Sequence, residues 1–170
     1  MSESTPNPGP QGGPQAAGGP SLIVLAQYLK DLSFENPRAP ASFAQPGQPQ
    51  TPQIDVDVNV NARGIAQNRY EVELTVSARA KQAGEVAFVV EAAYAGAFEI
   101  TNMTQEQMEL IMLVECPRIL FPFLRQIVAD ATRNGNFPPL MLEPIDFYGV
   151  YEQNRARAMA QTNAAQPAHA

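Results

Sequence analysis

Residues 54–61 read IDVDVNVN, an unbroken alternation of β-branched aliphatic and polar side chains. A period of two belongs to a strand with one buried face and one wet face, and a helix cannot accommodate it. Ile54, Val56, Val58 and Val60 therefore share one face, and Asp55, Asp57, Asn59 and Asn61 the other. YEVELTVSA, from Tyr70 to Ala78, repeats the pattern, and after a turn at KQAGE a third run follows, VAFVVEAAYAGAFEI. There Val86, Phe88, Val90, Ala92 and Tyr94 line up on one face, opposed by Ala87, Val89, Glu91, Ala93 and Ala95. The second face is too apolar and too small to be purely solvated, so it is expected to meet something outside the subunit core.

One segment supports two readings. In SLIVLAQYLKDLSFENP, Leu22, Leu25, Leu29 and Leu32 fit a helical stripe, while Val24, Ala26 and Tyr28, then Leu32 and Phe34, fit alternation. On pattern alone the helical reading leads. The following PRAPASFAQPGQPQTPQ has five prolines from Pro37 to Pro52 and must be an irregular connection, of a length that often carries binding function.

A long amphipathic helix is expected after Asn102. Thr104 and Gln107 have capping-box spacing, with Met103 and Met108 at the staple positions. Met108, Ile111, Met112, Ile119, Phe123, Ile127 and Val128 give a broad apolar surface that Leu120 and Leu124 widen. Pro117 and Pro122 interrupt it, at about 3 kcal/mol each in an ordinary helix interior, whereas full burial of a large apolar side chain stabilises by about 1.5–3 kcal/mol. Such a helix, too wide in its apolar surface for one small sheet, is expected to be sandwiched between layers by self-association. Gly135 is placed to cap its C-terminus. NFPPLMLEPIDF, stiffened by Pro138, Pro139 and Pro144, is then extended, and Asp146 caps a shorter helix that begins with Phe147, Tyr148, Val150 and Tyr151. Aromatic and methionine side chains beside a proline-rich segment make an adaptable apolar surface, the alternative being ordinary core.

At 170 residues the chain has room for one domain. Residues 1–20, rich in Gly, Pro and Gln, read as a disordered extension and 161–170 as a disordered tail, leaving 21–160 as the folded body. The N-terminus lacks a secretory pattern, so a cytoplasmic location is expected. Eleven Lys and Arg against 17 Asp and Glu give a charge of −6, which argues against nucleic acid and for a basic or apolar partner. The run from Met108 to Val128 is long enough to cross a membrane, but Glu109, Glu115, Arg118 and Arg125 exclude direct insertion. Cys116, the one cysteine, reads as a buried structural thiol, and His169, the one histidine, lies in the tail, so no metal site is expected. No phosphate-binding loop or nucleophile elbow occurs, and no cofactor is expected. Asp55 and Asp57 imitate an acid/base pair, but alternating Asp on a strand is ordinarily a solvated face. The enzyme alternative is a small α+β cup with a carboxylate base beside an apolar pocket, as in isomerase-type folds.

YLKDLSFENP, CPRILFPF and NFPPLMLEPIDF, in this order, resemble the bacterial protein-export chaperone family SecB, from about Leu22 to Tyr151. The glycine- and proline-rich N-terminus, the proline-heavy loop from Ala44 to Gln53 and a C-terminal tail of low acidity depart from the family pattern. The resemblance implies an α+β fold: a four-stranded antiparallel sheet with one long kinked helix and a shorter C-terminal helix, assembled as a homotetramer that is a dimer of dimers. It makes Leu22–Phe34 a strand. It places Met108, Ile111, Met112, Pro117 and Pro122 on the tetramer-interface helix, where packing between subunits would offset the prolines. It implies docking of the translocation motor SecA on Asp31, Glu35, Val89 and Glu91. It further implies a groove for unfolded precursor proteins lined by Ile54, Val56, Val58, Phe137, Met141, Leu142, Tyr148 and Tyr151. The implied activity is that of an ATP-independent chaperone that keeps precursors translocation-competent and delivers them to SecA.

Overall fold

The alternating segments pair as successive hairpins. In the computed structural model, which describes residues 18–44 and 52–164, β1 (Ser21–Glu35), β2 (Gln53–Ala66), β3 (Arg69–Gln82) and β4 (Glu85–Thr101) form one antiparallel sheet in the order β1-β4-β3-β2. Asn68 turns the first hairpin with φ 56°; Ala83 and Gly84, at φ 52° and 80°, turn the second with the paired positive φ of a type I′ turn. A one-turn helix, α1 (Ala41–Ala44), follows β1, and the proline-heavy loop beyond it lies largely outside the described residues. Of the expected extension and tail, 1–17 and 165–170 lie outside them too, and the C-terminal helix continues to Ala164.

Leu22–Phe34 is a strand, against the helical pattern reading. Pairing of β1 with β4 is interrupted between Val24 and Ala26 and between Leu29 and Asp31, so Leu25 and Lys30 are bulged. Leu22, Val24, Gln27, Leu29, Leu32 and Phe34 face the helices, opposite Ile100, Phe98, Gly96, Tyr94, Ala92 and Val90. Each bulge resets the alternation by one residue, which brings leucines to near-helical spacing in a strand.

One layer of helix covers the sheet. After Thr104, whose hydroxyl accepts from the Gln107 N–H while the Gln107 side chain accepts from the Thr104 N–H, the chain runs through α2 (Gln105–Leu110), a π-helical turn (Ile111–Glu115) and α3 (Cys116–Asn134). Cys116, Leu120, Leu124 and Val128 are fully buried against Val72, Leu74, Val76, Ala78 and Ala80 of β3 and Phe88, Val90, Ala92, Phe98 and Ile100 of β4. Burial, with Glu115 nearby, pushes the Cys116 thiol up to about 12, consistent with an inert structural cysteine. The last helix, α4 (Phe147–Ala164), starts where Asp146 Oδ1 accepts from the Gly149 N–H at 3.0 Å, and Phe147 meets Phe121 edge-on, 6.1 Å between ring centroids.

The π turn accommodates Pro117. In an α-helix its ring would press on the Leu113 carbonyl. Here the Cys116 N–H reaches back to the Ile111 carbonyl, a five-residue step that widens the turn, and Pro117 falls in the first turn of α3, where a missing N–H costs little. Pro117 is fully buried within its own chain, so its ring is covered without a second subunit. Pro122 lies inside α3 with its side chain exposed.

Gly135 caps α3 with φ −77°, and the positive φ that commonly follows a helix falls on Asn136, at 64°. Space is what Gly135 supplies: a Cβ would lie 2.2 Å from Phe34 Cζ. Gly135→Ala is expected to lower stability to urea by about 1–3 kcal/mol. Asn136→Gly, whose backbone already suits glycine, should change it by less than about 0.5 kcal/mol.

Candidate functional site

The helices do not reach across β2. On its helix-facing side Ile54, Val56 and Val58 are 37%, 42% and 36% exposed, although Ala80, Ala78 and Val76, opposite them on β3, are fully buried. The extended segment 137–145 runs beside this row. A cavity of about 380 Å³ is lined by Ile54, Val56, Val58, Leu140, Met141, Leu142, Glu143, Pro144 and Ile145. A second, of about 180 Å³, is lined by Val58, Asn59, Val60, Leu113, Ile145, Phe147, Val150, Tyr151 and Asn154. Val58 and Ile145 belong to both, so the two form a groove along β2. Since a cavity of roughly 150 Å³ holds a benzene ring, each has room for aliphatic or aromatic side chains.

The expected groove residues divide. Ile54, Val56, Val58, Met141 and Leu142 line the larger cavity, with Met141 half exposed and Leu142 buried, and Tyr151 joins Val58 in the smaller one. The Tyr151 hydroxyl is buried without a hydrogen-bond partner among the described residues. Tyr148 is half exposed, 6.4 Å from Tyr151 between ring centroids. Phe137 lies elsewhere, 4.9 Å from Phe88 and 6.3 Å from Phe34.

Sequence reasoning missed Thr132. This fully buried residue on α3 donates its hydroxyl to the Val128 and Ala129 carbonyls, at 3.1 and 3.0 Å, and accepts the Leu140 N–H at 2.9 Å. Together with the Phe137 N–H on the Thr132 carbonyl, 3.1 Å, it ties the segment that carries Met141 and Leu142 to the helix. A lone hydroxyl on an apolar helix face just before a glycine was the available signal.

The opposite face of the sheet is polar. There Asp31 lies opposite Ala93, Ser33 opposite Glu91 and Glu35 opposite Val89, so register brings the four residues expected to dock a motor onto one surface. Asp31, Glu35 and Glu91 are exposed; Glu91 accepts from the Ser77 hydroxyl at 3.2 Å, and neither Asp31 nor Glu35 forms an ion pair among the described residues. The alanines of β4, expected to meet something outside the core, are covered from within the chain instead: Ala95 is fully buried and Ala93 is 9% exposed. Side chains from β1 and β3 close over them. Tyr28 donates its hydroxyl to Glu71 Oε2, Lys30 Nζ donates to Glu71 Oε1 at 3.0 Å and also pairs with Glu73, and Arg63 of β2 adds Nε and Nη2 at 2.9 Å. The Tyr28 hydrogen bond first, then those from Lys30 and Arg63, hold the buried Glu71 carboxyl down to about 2 against the opposing effect of burial.

A third feature is apolar and uncovered. On the helix-facing side of β1, Val24, Leu29 and Leu32 are 41–45% exposed, and Phe123 of α3, stacked on Tyr94 at 5.8 Å, is 47% exposed. Met108, Ile111, Met112, Ile119 and Ile127 are partly exposed along the same helical run. Contiguous apolar patches of this kind mark association surfaces. Among the described residues no cluster of His, Cys, Asp or Glu is arranged to hold a metal, and no helix is long and apolar enough to cross a membrane.

Residues 15–158 match the family described as preprotein translocase subunit SecB. The chain is 54% identical over 147 residues to the protein-export protein SecB of Bradyrhizobium diazoefficiens, covering 86% of this chain and 90% of that one. It is 52% identical over 154 residues to that of Rhodopseudomonas palustris, covering 91% and 94%. Its fold is similar to that of the Mycobacterium tuberculosis SecB-like chaperone solved in complex with a ChAD peptide from the HigA1 antitoxin, with a TM-score of 0.60 and 18% identity over 73% of this chain and 90% of that one.

Thr132→Val, equal in volume but without the hydroxyl, leaves the Leu140 N–H unpaired and should cost about 1–3 kcal/mol by urea denaturation, with faster amide exchange at Leu140. For Glu71 the folded-state pKa lies below the ordinary 4.5, so its stabilisation is complete above pH 4.5 and is lost as pH falls toward about 2. The melting temperature of the native chain should therefore exceed that of Glu71→Gln by a constant margin at neutral pH. That margin should shrink below pH 4.5.

Proposed function

Because this chain belongs to the SecB family of protein-export chaperones, we propose that it holds unfolded precursor proteins in the cytoplasm without ATP, keeps them translocation-competent and hands them to SecA. The observation that carries this reading is the continuous apolar groove along β2, open to solvent at Ile54, Val56 and Met141. A native protein has few apolar side chains to offer such a groove, whereas an unfolded one offers many. Selective binding of the unfolded chain holds it there by mass action. The peptide bound to the M. tuberculosis chaperone is consistent with client binding by this fold.

Release falls to the partner, as the sequence carries no nucleotide-binding loop. The exposed Asp31, Glu35 and Glu91 beside Val89 suit a basic segment of SecA, and contact through exposed charges makes that docking salt-sensitive. Self-association as a dimer of dimers would cover the β1 row and the outward side of α3, at Phe123, Pro122, Met108, Ile111 and Met112. An enzyme is disfavoured for want of a catalytic constellation around either cavity.

Native mass spectrometry after dilution of an exported precursor from denaturant tests the reading. A tetramer retaining the unfolded precursor but not the folded control is expected; a monomer or dimer that ignores both would overturn it. Val56→Ser with Met141→Ser should weaken capture by about tenfold or more, given roughly 1.5–3 kcal/mol per large apolar contact, and leave SecA docking intact. Glu91→Lys should do the reverse, measured by titration of SecA into the loaded complex.

A further inference from the structure

The bulge at Lys30 decides which way Asp31 and Glu35 point. Tyr28 lies opposite Ala95 on the polar face and Leu29 opposite Tyr94 on the helix side. With strict alternation Lys30 would take the polar face and Asp31 the helix side. Pairing resumes instead with Asp31 opposite Ala93, so Lys30 is the extra residue and both it and Asp31 stand on the polar face. Every residue after the bulge, Glu35 included, inherits that shift.

Glu71 holds this irregularity from two strands away. It takes Tyr28 before the bulge and Lys30 within it, over Ala95 and Ala97 of β4, which are small enough to let those side chains pass. Arg63 steadies the carboxylate from the far side. The same contacts have an electrostatic result. Lys30 adjoins Asp31 in sequence and would be its natural counter-ion, yet its ammonium is held by Glu71 and Glu73, and Asp31 has no ion pair among the described residues.

We propose that Glu71 is a positioning residue for motor docking: by clamping Tyr28 and Lys30 it keeps the β1 bulge in place and withholds Lys30 from Asp31, so that Asp31 and Glu35 meet the partner outward and unneutralised. This rests on the SecA reading only for what those carboxylates meet.

The test compares the full chain with Glu71→Gln and with the milder Tyr28→Phe, which removes one hydroxyl, by amide hydrogen exchange and by SecA binding. In both variants exchange from Leu29 to Glu35 should accelerate, by about tenfold in Glu71→Gln, and by clearly more than exchange of the β3 amides, whose smaller change follows the loss of global stability. SecA binding should weaken by about fivefold or more with capture of unfolded precursor retained. Unchanged exchange in that segment would overturn the clamp, as would acceleration of all strands alike, which would mark Glu71 as a general stabiliser. Clamp loss with SecA binding unchanged would overturn the positioning role. If the unmodified chain does not bind SecA, the docking reading fails by itself and exchange still decides the clamp.

Discussion

One long helix covers only half of a four-stranded sheet. A helix with its side chains is about 10–12 Å across and strands lie about 4.8 Å apart, so α3 shields roughly two strands. Those two are β3 and β4, whose helix-facing residues are almost all buried. The outer strands carry apolar rows of the same kind that α3 leaves largely uncovered, meeting β1 only near its ends, as at Phe34. On β2 the uncovered row becomes the floor of a groove; on β1 it becomes part of a patch that continues onto α3 at Phe123. Client capture and self-association, as proposed, thus use opposite margins of one shortfall in coverage.

That shortfall persists only if the covering elements stay where they are. The π turn lets Pro117 sit in the core without breaking the helix, so α3 keeps its hold on β3 and β4. Thr132 and the close contact of Gly135 with Phe34 fix where the chain leaves the helix. From there the stiff proline segment carries Met141 alongside β2 but not over it, and the groove stays open.

The polar face works by different physics. Its alanines leave room for long side chains from the flanking strands to meet over β4, and a buried carboxylate with three donors holds them there. Removing charges from water is costly unless each is paired, so such a cluster stabilises only as a complete set. The exposed carboxylates beside it remain in water and available to a partner.

Much of the fold was legible in local pattern. Alternation from Ile54 to Val60 and from Tyr70 to Ala78 identifies β2 and β3, and the Thr104–Gln107 box and Asp146 mark two helix starts, whereas the grouping of the β2 row with Met141 and Leu142 came only from the family resemblance. Other features came only from tertiary structure: the bulges that disguise the alternation of β1, the π turn before Pro117, the anchor at Thr132, the packing of Phe137 against Phe88 and the hydrogen bonds that converge on Glu71. Periodicity and capping report what a residue asks of its near neighbours, which the chain alone determines. The clamp joins Tyr28 to Glu71 and the anchor joins Thr132 to Leu140. Such contacts form only once strands and helices distant in sequence have packed, and it is packing, not pattern, that decides which donor a buried carboxylate or hydroxyl will meet.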